Sequence, residues 1–204
     1  MAYLFIDTSD HLVLGLLDEG FKWLELIETQ DKKSSASIHS HIYNLLEPRG
    51  LKVRDVKGLF QVAGPGSYTG MRISEGISQV LEWQNIPIYS FYHFSVPKIL
   101  GVEKGAWVSK AFKNEIFLYE WRGSEVKKSL HAQDELESLQ ESLRDELGEF
   151  WTHFEGIFEN INNFSSHLIK ESEGQLFAHA AESCLREKPF YYRSLENEFH
   201  VSNK

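Results

Sequence analysis

A single cysteine, Cys184, excludes an internal disulfide, and nothing near it has the spacing of a metal site, so a reduced compartment, the cytoplasm, is the expectation. Clustered cations are also missing. The formal net charge is −9, and the 21 basic residues are scattered apart from the pairs Lys32-Lys33 and Lys127-Lys128. That argues against a nucleic-acid surface of its own, because such affinity rests on grouped cations at phosphates. No apolar run is long enough to span a bilayer, and the N-terminus lacks a basic leader and reaches Asp7 after a few apolar residues, so neither membrane insertion nor secretion is expected. Without secretion, the glycosylation match Asn163-Phe164-Ser165 carries no weight. Nor do the nine histidines offer a ligand pair: His39 and His41 are two apart and diverge, and His93 is followed four positions later by Pro97. Packed or surface imidazoles are the expectation.

What is present is enough apolar material, 42% of 204 residues, for one large domain or two small lobes. Residues 3–7 and 11–17 read as antiparallel strands around the turn Thr8-Ser9-Asp10, and 21–27 as a third. Ile38, Ile42, Leu45 and Leu46 share a helical face that Pro48 and Gly50 stop. A strand over 56–62 follows, then a glycine-rich loop opening a second helix, in which Ile73, Ile77, Val80 and Leu81 share a face. Ile86-Pro87-Ile88-Tyr89 returns as a strand. This order implies a meander followed by crossover units in a mixed sheet, with the helices on one side. Further on, 107–108 and 116–121 read as strands, while Leu136, Leu139, Leu143 and Leu147 mark an amphipathic helix and 175–186 another. No repeat is visible, and glycine spacing puts a lobe boundary near 101–105.

The most specific feature is Gly64-Pro65-Gly66-Ser67-Tyr68-Thr69-Gly70, whose glycines and hydroxyls at a strand-to-helix junction could present N–H groups to an anion. It lacks the lysine of a P-loop and the placement of a dinucleotide fingerprint. The plainer reading is a tight turn whose glycines allow close helix packing. Asp7-Thr8-Ser9 has the residue types of a phosphate-handling hairpin, and equally of a capped turn. Ser67 is not in a nucleophile elbow, and no nucleophile–base signature is tied to it. The acidic stretch 134–149 reads as the solvated face of a helix.

The motif order resembles that of the TsaB/YeaZ family: an Ile-Asp-Thr-Ser first strand (Ile6 to Ser9), a first helix ending Leu45-Leu46 and followed by Gly50-Leu51, and Val62-Ala63-Gly64-Pro65-Gly66-Ser67-Tyr68-Thr69-Gly70-Met71-Arg72-Ile73. Ala111-Phe112-Lys113-Asn114-Glu115-Ile116-Phe117 and Tyr191-Tyr192-Arg193 are similar to further family segments, the second half matching only in outline. The resemblance implies an α/β, actin-like/Hsp70-like fold of two lobes, each with a mixed sheet and flanking helices. The first lobe is expected over 1–103 and a smaller, divergent second lobe over 104–204, whose helix at 175–186 can pack back on the first. It implies a non-catalytic scaffold subunit of the complex that forms N6-threonylcarbamoyladenosine at position 37 of tRNA. Its partners would be a TsaD/Kae1-type catalytic subunit and a TsaE-type ATPase, with tRNA contacted only indirectly.

ATP and metal would belong to the partner subunits, with no cofactor of its own. The paralogue's metal-binding histidine pair aligns with His93 and Pro97, and proline cannot ligate. Asp7, Thr8 and Ser9 would be a vestigial phosphate site. Docking would use the helices at 37–47 and 71–83, with His41, Met71, Gly76 and Trp83 as interface candidates, while Gly64, Gly66, Ser67, Thr69 and Gly70 form a structural loop. Helices exposed in this way are of the kind that self-associate into a homodimer when the partner is missing. The chain departs from the family at Ser34-Ser35 (or His39-Ser40), where a His-Ser is usual, and at Lys110, where many members carry Asp. The alternatives are a free-standing ATPase or small-molecule kinase of the same superfamily, and a glycoprotease-type (M22-type) peptidase.

Overall fold

The computed structural model describes residues 1–29 and 37–192; Lys32-Lys33, Ser34-Ser35 and Arg193 lie outside the described residues. The chain begins with the meander β1 (Tyr3–Asp7), β2 (Val13–Leu17) and β3 (Trp23–Glu28), continues through α1 (Ile38–Leu46), β4 (Gly58–Val62) and α2 (Tyr68–Trp83), and returns as β5 (Ile88–Phe91). The sheet order is β3-β2-β1-β4-β5, with β1 antiparallel to β2 and parallel to β4. Both faces are covered, which is why β1, β2 and β4 are near-continuous apolar runs rather than alternating ones. Leu4, Ile6, Leu14, Leu16 and Leu59 face α1 and α2, whereas Phe5, Val13, Leu17, Phe60 and Val62 face the other way.

That other face is closed by helices from the end of the chain. α3 (Val96–Ile99), α5 (Ser165–Glu171) and α6 (Glu173–Glu182) contribute Val96, Ile169, Leu176, Phe177 and Ala180. Phe177 lies 4.8 Å from Phe60, 5.4 Å from Trp23 and 5.7 Å from Phe5 between ring centroids. Truncating so enclosed a ring costs about 3–5 kcal/mol.

The second sheet comprises β6 (Lys104–Lys110), β7 (Glu115–Arg122) and β8 (Glu125–Ala132), then α4 (Leu136–Leu147), β9 (Phe150–Thr152) and β10 (Asn163–Phe164). Its order, β10-β9-β6-β7-β8, repeats the first: a three-strand antiparallel meander with two further strands parallel to the first. The sequence shows no repeat, so the duplication lives in the topology alone. The second unit lacks the helix corresponding to α2; residues 153–162 are turns and bends, and from that stretch Phe158 and Ile161 join Leu147 and Phe150 in the core beneath α4.

The glycine loop is built for contact within the chain. A Cβ at Gly66 would collide with the Ser9 carbonyl, one at Gly70 with the Thr8 carbonyl, and one at Gly64 (φ 98°) with the Met71 sulfur. Ser67 caps α2 by accepting from the Gly70 N–H at 3.3 Å, and its own N–H donates to the Ser9 carbonyl at 2.5 Å. Gly76, in the middle of α2, has nothing within 4 Å of an added Cβ. The two positions therefore respond oppositely: Gly70→Ala loses about 3 kcal/mol of unfolding free energy, whereas Gly76→Ala gains about 0.5–1 kcal/mol from helix propensity. Urea unfolding of both variants checks this, and a destabilising Gly76→Ala would mean that α2 is packed on its outer side as well.

Candidate docking groove and interlobe network

Polar residues gather where the carboxyl ends of β1, β5 and β9 meet. Asp7, at the end of β1, is buried, and its Oδ1 accepts from the Ser9 N–H (2.9 Å) and hydroxyl (2.6 Å). His93, just beyond β5 and 0% exposed, places Nε2 at 2.8 Å from Ser9 Oγ and 3.1 Å from Asp7 Oδ2. Its Nδ1 is 3.0 Å from Ser165 Oγ, whose hydrogen goes to the Thr152 carbonyl at 3.1 Å. Ser9 Oγ donates to Asp7 Oδ1 and Ser165 Oγ to the Thr152 carbonyl, and the His93 ring bridges the two hydroxyls and lies against Asp7. Burial alone would raise the Asp7 pKa, but the charge and hydrogen bond of His93 and the two bonds from Ser9 hold it below its ordinary value. Beside it, His153 donates from Nε2 to the Pro65 carbonyl at 2.5 Å. Burial, reinforced by the His93 charge, pushes its pKa down to about 3.

Ser165, His93 and Asp7 thus form a line that no sequence spacing signalled. It is not arranged for catalysis: the Ser165 hydroxyl donates to the Thr152 carbonyl, Trp107 Nε1 donates to the same oxygen at 3.3 Å, and Ser165 is wholly buried. The network instead ties the two lobes together. Thr8, the middle residue of the anticipated phosphate hairpin, bonds Ser74 Oγ at 3.2 Å, and the loop backbone lies directly on the carbonyls of Thr8 and Ser9. Among the described residues, no group of three or more His, Cys, Asp or Glu side chains could hold a metal ion.

The anticipated interface residues scatter. Met71 is 2% exposed and packs under Gly64, so it belongs to the core and not to a docking surface, which corrects its placement. His41 is half-buried, Trp83 is 82% exposed, and Gly76 lines an apolar groove of about 710 Å³ between α1 and α2. Thr69 is exposed at the first turn of α2, with Ser67 as its cap.

One flank of α2 lines the groove. Its buried face is Met71, Ser74, Ser78 and Leu81, and the two serines satisfy Gln61 of β4: Gln61 Nε2 donates to Ser74 Oγ at 3.1 Å, and Ser78 donates to Gln61 Oε1. Ile73 and Ile77 are consequently only partly buried, and Val80 is exposed. The stripe read from spacing is therefore split: Leu81 is buried, Ile73 and Ile77 pack on the core from its margin and Val80 is exposed, while Ile42, Tyr43, Leu46 and Val53 complete the groove. Sequence reasoning missed the groove because periodicity reports a stripe without saying how deeply each member sits; Ser74 and Ser78, each one position after an isoleucine, were the available signal.

No protein-family model matches the chain. Over 90 residues it is 34% identical to the tRNA threonylcarbamoyladenosine biosynthesis protein TsaB of Bacillus subtilis, a stretch covering 43% of this chain and 39% of that protein. The match thus spans well under half the length of the relative. Among solved structures, the fold is similar to YeaZ from Pseudomonas aeruginosa (TM-score 0.58, 16% identity, 94% of this chain and 100% of that one). It is also similar to an uncharacterized protein with similarity to peptidase YEAZ from the same organism (TM-score 0.61, 17% identity, 94% and 99%). Both share the two-lobed α/β architecture, in which each lobe carries a sheet and flanking helices.

The buried histidine sets an acid limit. Between pH 6.5 and about 3 the unfolded chain binds a proton at His153 that the folded chain refuses, so stability falls as pH drops through that window. Asp7, whose folded pKa is lowered, contributes fully above its unfolded value near 3.8 and loses that contribution only below it. His153→Gln, which keeps a donor for Pro65, is expected to remove about 1 kcal/mol or more of the decline between pH 7 and pH 5. Urea titrations at several pH values test this, and an unchanged slope would take His153 out of the account.

Proposed function

From sequence and fold likenesses that support its assignment to the TsaB/YeaZ family, we propose that this chain is a non-catalytic scaffold subunit of the machinery forming N6-threonylcarbamoyladenosine at position 37 of tRNA. It docks on a TsaD-type catalytic subunit through the groove between α1 and α2, and a TsaE-type ATPase joins the pair. ATP and metal belong to those partners, and tRNA is reached through them. The observation that carries this reading is the apolar groove between α1 and α2. A helix that leaves Ile73 and Ile77 half-covered and Val80 exposed beside its buried face presents apolar area for a second surface to cover. Tyr43, Val53 and Trp83 extend the exposed apolar area around it.

The competing enzymatic readings find less support at the site. A free-standing ATPase or kinase needs Asp7 free to act at a phosphate, but here both carboxylate oxygens are engaged inside a closed junction. A peptidase needs a reachable nucleophile, and Ser165 is sealed. No helix among the described residues is long and apolar enough to cross a membrane.

The test is a reconstituted modification assay with TsaD-type and TsaE-type subunits and threonylcarbamoyl-adenylate, with and without this chain. Modified adenosine is expected only in its presence. Gly76→Asp and Val80→Asp should keep native circular dichroism while lowering TsaD-type binding at least about tenfold, since each sets a charge into the apolar contact. Met71→Asp should fail to fold. A chain that neither binds the TsaD-type subunit nor affects the yield would overturn the proposal.

A further inference from the structure

The groove between α1 and α2 has an apolar floor and two cations at its rim. Lys52 from the connection after α1 and Arg72 from α2 line it together with the His39 imidazole, and among the described residues no carboxylate does. The acids nearby are each drawn elsewhere. Glu47 is bound by the Tyr43 hydroxyl at 2.8 Å, and Asp55 accepts from the Lys52 backbone N–H at 2.8 Å and pairs with Arg54. Glu75 is clamped from the opposite side by Arg186 at 2.9 and 3.1 Å, and Glu82 lies 3.5 Å from the same guanidinium. Arg72 is held in place over the Tyr68 ring, 4.2 Å from its centroid.

Resting on the docking reading above, we infer that the groove selects an amphipathic helix with an apolar stripe flanked by carboxylates, its stripe on Ile73, Ile77 and Val80 and its acids at Lys52 and Arg72. Helix-in-groove recognition takes affinity from the stripe, while rim charges set the partner and the rate of encounter. A helix with basic flanks meets repulsion at Lys52 and Arg72. An RNA strand could satisfy the cations, but its phosphates gain nothing from an apolar floor, so the helix is the better fit.

The experiment uses the full chain and two synthetic helical peptides with the same Leu/Ile stripe, one with Glu flanks and one with Lys flanks. Binding is measured by fluorescence anisotropy at about 50 mM and about 500 mM salt. The Glu-flanked peptide is expected to bind at least about tenfold tighter at low salt, with the gap narrowing at high salt. The double variant Lys52→Glu/Arg72→Glu should reverse the preference, and Arg72→Gln, which loses the stacking without adding a charge, should only weaken it. Equal binding of the two peptides, no binding of either, or displacement of the Glu-flanked peptide by a tRNA anticodon-stem fragment at comparable concentration overturns the inference. The two proposals also separate. If the charge-reversed variant captures the TsaD-type subunit as fast as the unmodified chain, rim selection fails and docking stands. If the unmodified chain shows the peptide preference but does not capture the subunit, the docking assignment fails and the selectivity stands.

Discussion

The structure depends on backbone-to-backbone contact between two loops. Because Gly66 and Gly70 carry no side chains, the loop after β4 lies directly on the carbonyls of Thr8 and Ser9 at the end of β1. That contact fixes the start of α2 against the sheet, and with it the rotation of the helix about its own axis. It also sets Ser9 against the Asp7 carboxylate, with His93 on its other oxygen. The same residues that could have cradled an anion are occupied in holding the fold together. Three glycines in a strand-to-helix loop are compatible with either outcome, and what decides between them is how closely the neighbouring loop approaches.

The rotation of α2 then decides which of its faces meets the sheet. Gln61 is the one polar side chain of β4 on the α2 side, and a buried amide is tolerable only with its donors and acceptor paired. Ser74 and Ser78 supply those partners, and each also returns a hydrogen bond to its own helix, at the carbonyls of Met71 and Ser74. With the two serines inward, Ile73 and Ile77, each one position earlier, sit at the margin of the buried face and reach both the core and the groove.

How much could be read in advance follows from burial. The first sheet was legible because its strands are sandwiched and hence apolar throughout, and its helices carry clear stripes ended by Pro48, Gly50 and Asn85. In the second sheet, β8 is an exposed edge strand carrying Lys127 and Lys128, and β9 and β10 run only three and two residues, so neither period nor composition marked them. The buried network was illegible for another reason. Asp7, His93 and Ser165 are far apart in the chain and meet only because parallel strands bring their carboxyl ends to one edge. The α2 stripe read as a single face concealed how its members divide, with Leu81 buried, Ile73 and Ile77 at the core margin and Val80 exposed.

The two lobes share a topology, yet among the described residues a wide apolar groove between crossover helices occurs in the first alone. The physical reason lies in residues 153–162. In the first lobe, α1 and α2 run side by side on one face, and the space between them opens outward. In the second, the position corresponding to α2 is taken by a chain of turns that places Phe158 and Ile161 directly beneath α4, so its leucine stripe is covered from within. That same irregular stretch begins with His153, which reaches across to the Pro65 carbonyl of the glycine loop. Losing a helix thus closed one surface and added a strut between the lobes. The second lobe thus spends its crossover face on its own core, whereas the first leaves an apolar groove between its helices.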